Sequence, residues 1–201
     1  KPKSNKQNEK VRALTIEEER AFVDILMKND INYSEEMLLS LFSGMRMGEL
    51  LALTLNDFDF EKSTISISKS LAAVNGESIV KDTKTPKSNR VISMPQQIMD
   101  MVKEYAAHLY GYEPTQRLFH YDKTSLHRDM KKYCEKSGIR KIKIHELRHS
   151  HASHLIELGV SPLSISERLG HEDIKTTLNT YSHLYPNKQS EIANILTDYI
   201  V

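Results

Sequence analysis

One cysteine in 201 residues, Cys134, leaves no partner for an internal disulfide and cannot build a thiolate-only metal site. No secretory leader is recognisable, and the expected compartment is a reducing cytoplasm. No apolar run approaches the roughly 20 residues of a bilayer crossing, which argues against a membrane role. Internal repeats are absent, and the only low-complexity stretch is the polar, basic residues 1–10. Charge of one sign is lacking in sum as well, because 28 Lys and Arg face 27 Asp and Glu for a net charge of +1. That balance would exclude a nucleic-acid partner only if the charges were evenly spread.

They are not. Residues 117–148 hold ten basic side chains against four acids, whereas residues 149–201 hold three against six. The basic stretch marks Lys131, Lys132, Arg140, Lys141 and Lys143 as candidate phosphate contacts, and the loop 81–90 adds Lys81, Lys87 and Arg90 around Pro86. Solvated helix faces would give the same composition.

The length fits one domain with an appended arm. Thr15-Ile16-Glu17-Glu18 forms a capping box, followed at helical spacing by Ala21, Phe22, Ile25 and Leu26. A second helix covers 35–43 with Gly44 as its left-handed cap, and Arg46 then stands in a tight turn before a short helix carrying Leu50, Leu51 and Leu53. Alternation at 64–68, 78–80 and 90–94, with an Asn75-Gly76 turn, predicts a small three-stranded antiparallel sheet. The rest reads as helical: one helix opened by Pro95 and stopped before Gly111, and one capped by Thr124 with Leu126, Met130, Tyr133 and Cys134 inward. Others run from His145 to Gly159, from Ser161-Pro162 to Gly170, and from Asp173 through Tyr181. Ile192, Ile195, Leu196 and Tyr199 make an apolar stripe on a terminal helix. The fold class is mainly α with a small three-stranded antiparallel β-sheet.

The candidate chemistry lies in an ordered set: Arg46, Lys84, His145, Arg148, His171 and Tyr181. Two guanidinium forks suit the oxygens of a phosphodiester, whose pentacovalent transition state carries about two negative charges. A phenol with an ordinary pKa of about 10 attacks phosphorus only if a partner accepts its proton or cations stabilise the phenolate. Tyr181 lies ten residues beyond His171, and Tyr185, one helical turn later, is a rival nucleophile.

The segments Gly44-Met45-Arg46-Met47-Gly48-Glu49-Leu50, His145-Glu146-Leu147-Arg148-His149, Leu169-Gly170-His171 and Thr177-Leu178-Asn179-Thr180-Tyr181-Ser182-His183 occur in this order. Together they resemble the tyrosine recombinases of phages and conjugative elements, over about residues 14–185. The resemblance implies the catalytic-domain fold of DNA breaking and rejoining enzymes, with residues 1–12 a flexible linker, 13–201 the catalytic domain, and an upstream core-binding domain absent. It implies that Tyr181 attacks the scissile phosphate to give a 3′-phosphotyrosine and a 5′-hydroxyl, with Arg46, Arg148 and His171 stabilising the transition state. Lys84 is then the general acid and His145 the proton acceptor. No metal, nucleotide or other cofactor is implied. The implied partner is duplex DNA, bound as a homotetramer by a chain monomeric in solution, with accessory DNA-bending or excision factors and with residues 187–201 a segment for exchange between protomers.

Two other patterns compete. His145-Glu146-Leu147-Arg148-His149 satisfies the His-Glu-x-x-His zinc metalloprotease pattern, but Leu155 stands where a metzincin needs a third histidine and Arg148 would sit beside the metal. His149, His151 and His154 then read as hydrogen-bonded helix residues. The stretch 154–181 imitates a helix-turn-helix regulator without catalysis, which has no use for Arg46, Lys84 and Tyr181.

Overall fold

Thr15 opens the first helix reciprocally: its hydroxyl accepts the Glu18 amide at 3.2 Å while the Glu18 carboxylate accepts the Thr15 amide at 3.0 Å. The computed structural model describes residues 12–28, 33–75, 77–83, 86–120, 123–185 and 193–197. Helix α1 (Ile16–Met27) turns Phe22 and Leu26 inward, and α2 (Ser34–Ser43) is buried along nearly its whole length. Gly44 ends α2 in the left-handed region at φ 64°. A Cβ there would run into the His151 imidazole and come within 2.8 Å of Leu169, so glycine is what lets the turn close on the later helices. Helix α3 (Met47–Ala52) follows, and Leu50, Leu51 and Leu53 anchor it in the main core.

The sheet differs from expectation. Strands β1 (Phe58–Asp59), β2 (Thr64–Ile67) and β5 (Arg90–Ser93) form the three-stranded antiparallel sheet in the order β1-β2-β5, with Ile65 opposite Ile92. Residues 78–80 belong instead to β4 (Glu77–Asp82), which pairs with β3 (Lys69–Val74) in a separate hairpin. The core face of β2, Ile65 and Ile67, is sealed by β5, whereas every residue of β4 is exposed and has no core to seek. Asn75 takes the left-handed conformation at the hairpin tip, at φ 51°; Gly76 lies outside the described residues.

Helix α4 (Gln96–Ala107) buries Ile98, Met99, Val102 and Ala106, with Pro95 as its N-cap rather than its first residue. Helix α5 (Lys123–Lys136) includes Thr124 instead of starting after it, and buries Leu126, Met130, Tyr133 and Cys134 as expected. Helix α6 (Glu146–Glu157) joins two cores: Leu147 faces the main one, while Ala152 and Ile156 join Ile165, Leu169 and Tyr181 in a smaller one. Helices α7 (Pro162–Leu169) and α8 (Ile174–Tyr181) complete that smaller core, capped by the Ser161 hydroxyl and the Asp173 carboxylate. Residues 193–197 are helical with Ile195 and Leu196 exposed; Ile192 and Tyr199 lie outside the described residues. Among the described residues no helix is long and apolar enough to cross a membrane.

Candidate active site

Arg46 is the N-cap of α3, in extended backbone geometry, so its side chain leaves the turn as the helix begins. Its amide donates to Glu49 Oε2 at 2.8 Å and its Nη1 to Oε1 at 2.9 Å, and one carboxylate thereby fixes both backbone and fork. Glu49 is shared: Arg90 Nη2 donates to Oε2 at 2.9 Å and Nη1 to Oε1 at 3.3 Å. Burial alone would raise the Glu49 carboxyl, but the hydrogen bonds and charge of Arg90, followed by those of Arg46, outweigh it and hold the group below its ordinary value.

Helix α7 ends here, and its last carbonyls are taken in sequence by guanidiniums. Arg90 Nε donates to the Arg168 carbonyl at 2.8 Å, Arg148 Nη2 to Leu169 at 2.8 Å, and Arg46 Nη2 to Gly170 at 3.2 Å. A helix C-terminus leaves carbonyls without intrahelical partners and carries partial negative charge, which a row of cations satisfies. Arg148 also donates Nη1 to the Gly44 carbonyl at 2.6 Å, joining the end of α2 to the end of α7. Burial, and then the neighbouring Arg46, bring the Arg148 guanidinium down to about 9, with Glu49 opposing; it stays charged at neutral pH. Arg46 and Arg90 thus share one carboxylate while Arg148 beside them has backbone carbonyls as partners, an excess of two positive charges over Glu49 whose complement is an anion.

His171 follows Gly170 directly, and its Nδ1 lies 2.7 Å from the hydroxyl of the fully buried Thr177. Burial, followed by the charges of Arg148, Arg46 and Arg90, lowers the imidazole to about 4 and keeps it neutral. Thr177 engages Nδ1, and Nε2 is the ring nitrogen left for another partner. Tyr181 is the last residue of α8 and only 2% exposed, and its phenol oxygen is hydrogen-bonded to His149 Nδ1 at 2.6 Å. Burial pushes this phenol up to about 12, against the pull of Arg148. Burial, then His145 and Arg148, lower the His149 imidazole, which favours its neutral form.

Arg46 and Arg148 meet at the end of α7 with His171 directly after it, and Tyr181 lies in the adjoining small core. His145 does not meet the phenol: it is exposed ahead of α6, edge-on to His149 with ring centres 6.3 Å apart. His149 holds the phenol instead. Sequence reasoning passed over it as one of three histidines on a helix, although its place beside Arg148 was a usable signal. Glu49 was also missed; its position three residues after Arg46 is capping-box spacing. Tyr185 packs against the smaller core, and its hydroxyl finds no partner among the described residues. Lys84 lies outside the described residues.

A model of the phage integrase family matches residues 12–188. The chain belongs to that family. This integrase-family chain is 32% identical over 197 residues to the ICEBs1 integrase of Bacillus subtilis (strain 168), covering 92% of this chain and 54% of that protein. Its fold is similar to the Tn1549 transposon integrase in complex with a circular intermediate DNA, at a TM-score of 0.78 and 21% identity over 98% of this chain and 68% of that one. It is also similar to the catalytic domain of bacteriophage HP1 integrase, at a TM-score of 0.62 and 20% identity over 91% and 93% of the two chains. The fold is that of a tyrosine recombinase catalytic domain. The chain spans about half the length of the curated relatives it matches. Family membership sets aside the metalloprotease and regulator readings.

The cations expected along DNA divide into two kinds in this integrase-family domain. Lys81 is exposed on β4, where it lines a cleft with Arg46, Ser70, Thr83 and Gly170, and Lys131, Lys132, Lys141 and Lys143 are exposed on and after α5. Lys87 is exposed and donates to the Glu172 carbonyl at 2.9 Å. Arg90 departs from expectation: its side chain is 7% exposed and serves Glu49 and α7 rather than solvent. Arg140 is likewise occupied, donating to the Ala13 carbonyl at 2.9 Å and pairing with Glu18 at 3.5 Å, which ties down the approach to α1.

Proposed function

We propose that this chain is the catalytic part of a tyrosine recombinase that cuts and rejoins duplex DNA through a covalent 3′-phosphotyrosine. The observation that carries this reading is the excess of two positive charges from Arg46, Arg90 and Arg148 over Glu49, set at the end of α7 next to His171 and Tyr181. Arg46 and Arg148 each commit two N–H groups to protein oxygens, which fixes the plane of the fork while other donors remain for phosphate oxygens. The same charges that stabilise a phosphate in its transition state lower the cost of ionising Tyr181, whose phenol burial alone would keep protonated. An imidazole from the His145 to His149 turn takes the phenol proton, and Lys84 protonates the leaving 5′ oxygen. The phosphotyrosine bond conserves the energy of the broken strand, so rejoining needs no cofactor.

Residues 13–201 act as the catalytic domain, with residues 1–12 a linker and residues 187–201 available for exchange between protomers. The chain is monomeric alone and tetrameric on DNA, where Lys81, Lys87, Lys131, Lys132, Lys141 and Lys143 contact phosphates and make binding steeply salt-dependent. Recombination, including integration and excision of a mobile element, is the expected outcome, assisted by DNA-bending or excision factors. The deciding experiment uses a nicked suicide duplex bearing the element's own core site, incubated with wild type, Tyr181→Phe and Tyr185→Phe and resolved on a denaturing gel. The protein-linked band is lost only in Tyr181→Phe; a band that persists there and vanishes in Tyr185→Phe overturns the assignment.

A further inference from the structure

We propose that Arg168 and His151 are positioning residues for strand cleavage, which together lock the end of α7 onto the three elements that carry Arg46, Arg90 and Arg148. The inference rests on the recombinase reading above and names what keeps its guanidiniums in register. All three side-chain nitrogens of Arg168 are committed. Nε donates to His151 Nε2 at 3.0 Å, Nη1 to the Ser93 carbonyl at 3.1 Å and Nη2 to the Phe42 carbonyl at 3.0 Å, with Met94 Sδ a further 3.8 Å contact of Nη2. Phe42 lies in the last turn of α2, four residues before Arg46. Ser93 ends β5, three residues after Arg90, and His151 lies on α6, three residues after Arg148. The tie is reciprocal: Arg90, Arg148 and Arg46 donate to the carbonyls of residues 168, 169 and 170, and Arg168 donates back to the element that launches each of them.

Chemistry fixes the direction of the bond between Arg168 and His151. A guanidinium donates and cannot accept, so Nε2 of His151 offers its lone pair and the ring is neutral, with its proton on Nδ1. Burial above all, and then the charge of Arg168, bring this imidazole down to about 3, while a hydrogen bond with the Leu41 backbone opposes the shift. The ring therefore remains an acceptor at neutral pH. It is 8% exposed and fills the space over Gly44, whose carbonyl Arg148 takes at 2.6 Å. A displaced His151 ring moves the seat of Arg148, and a displaced Arg168 frees the end of α7 from α2, β5 and α6 at once. Arg168 spends its donors on protein, so it acts on phosphate only through the three guanidiniums it holds in place.

The test measures two quantities on the nicked suicide duplex: equilibrium binding as a function of salt, and the single-turnover rate of the protein-linked band at saturating protein. Wild type, Arg168→Met, His151→Gln, His151→Phe, the Arg168→Met and His151→Phe double variant and Tyr181→Phe are compared, each well below its own melting temperature. Arg168→Met should cleave about 100-fold more slowly, the loss that a misplacement of about 1 Å produces from a site away from the chemistry. Its affinity and salt slope should match wild type, whereas a lost phosphate contact would reduce the slope by about 0.9. His151→Gln places an amide oxygen near the position of Nε2 and should keep most of the wild-type rate. His151→Phe fills the same space without an acceptor and should lose about 10-fold or more. The double variant should be no slower than Arg168→Met alone, because the two side chains act as one unit. A wild-type rate in Arg168→Met, a fall in its affinity or salt slope, equal rates in His151→Gln and His151→Phe, or additive losses in the double variant overturns the assignment. If Arg168→Met does not fold, the two His151 variants decide. A surviving band in Tyr181→Phe instead overturns the nucleophile, and with it the recombinase reading on which the tie rests.

Discussion

Arg90 grips Glu49 with both terminal nitrogens, at 2.9 Å and 3.3 Å, and the two side chains are only 7% and 2% exposed. A carboxylate so deep is tolerable because it is paired twice over, once to Arg90 and once to Arg46. Arg90 therefore acts on the site through Glu49 and the α7 carbonyl rather than by touching substrate.

Replacing Arg90 with Met leaves Glu49 with Arg46 alone and removes the donor to the Arg168 carbonyl. Breaking one side of a buried pair typically costs about 3 to 5 kcal/mol. Denaturant unfolding should show a loss of that order, and Arg90→Met with Glu49→Gln should be more stable than the sum of the single changes predicts. Simple additivity of the two would mean that the pair carries no coupling.

Local signals made the helices readable. Thr15, Ser161, Asp173, Gly44 and Gly170 cap helices where sequence alone put them, because a cap depends on neighbours within four residues. The hairpin was not readable. Only Ser68 separates β2 from β3, so the run looks like one strand, and which partner each half takes depends on burial rather than on alternation. For the same reason Arg90 looked like a groove cation: its carboxylate partner is 41 residues away. The contact between His149 and Tyr181 spans 32 residues and is set by how α6 packs on α8, whereas the order of the sequence boxes showed which residue types would meet.

Glu36 gives a pH-dependent prediction. It is 2% exposed, its Oε2 has no partner among the described residues, and burial above all lifts its carboxyl to about 7. The native state therefore holds a proton that the unfolded chain releases above its ordinary carboxylate range. Stability contributed by this group is full below that range and declines as pH rises toward 7, at a rate approaching about 1.4 kcal/mol per pH unit. Glu36→Gln cannot ionise, so its melting temperature should exceed that of wild type by more at pH 8 than at pH 5. An equal difference at both values would rule out Glu36 as the source.

Thr177 orients His171, and the prediction separates orientation from folding. Thr177→Val keeps shape but removes the hydroxyl 2.7 Å from Nδ1. The ring then loses the contact that reserves Nε2 for substrate. Cleavage should fall by about 10- to 100-fold, as when a partner that orients a functional imidazole is removed, while Thr177→Ser retains most activity. A larger loss in the Ser variant than in the Val variant would show that the methyl group, not the hydroxyl, matters.

Gly170 and Gly159 share a left-handed backbone, at φ 65° and 80°, yet they should respond to alanine differently. A Cβ on Gly159 meets nothing within 4 Å, so Gly159→Ala bears only the conformational cost, about 1 kcal/mol, and should cleave normally. A Cβ on Gly170 would lie 2.7 Å from Arg90 Nη1, in the midst of the guanidiniums that hold Glu49 and the end of α7. Arg90 cannot retreat without releasing either Glu49 or the Arg168 carbonyl, and Arg46 donates to the Gly170 carbonyl itself, so the disturbance reaches the fork proposed to bind phosphate. Gly170→Ala should therefore melt lower than Gly159→Ala and lose cleavage by at least about 100-fold, the size of effect that misplacing one preorganised cation produces. If the two alanine variants cleave at the same rate, the guanidinium row at the end of α7 is packing alone and does not set the geometry of catalysis.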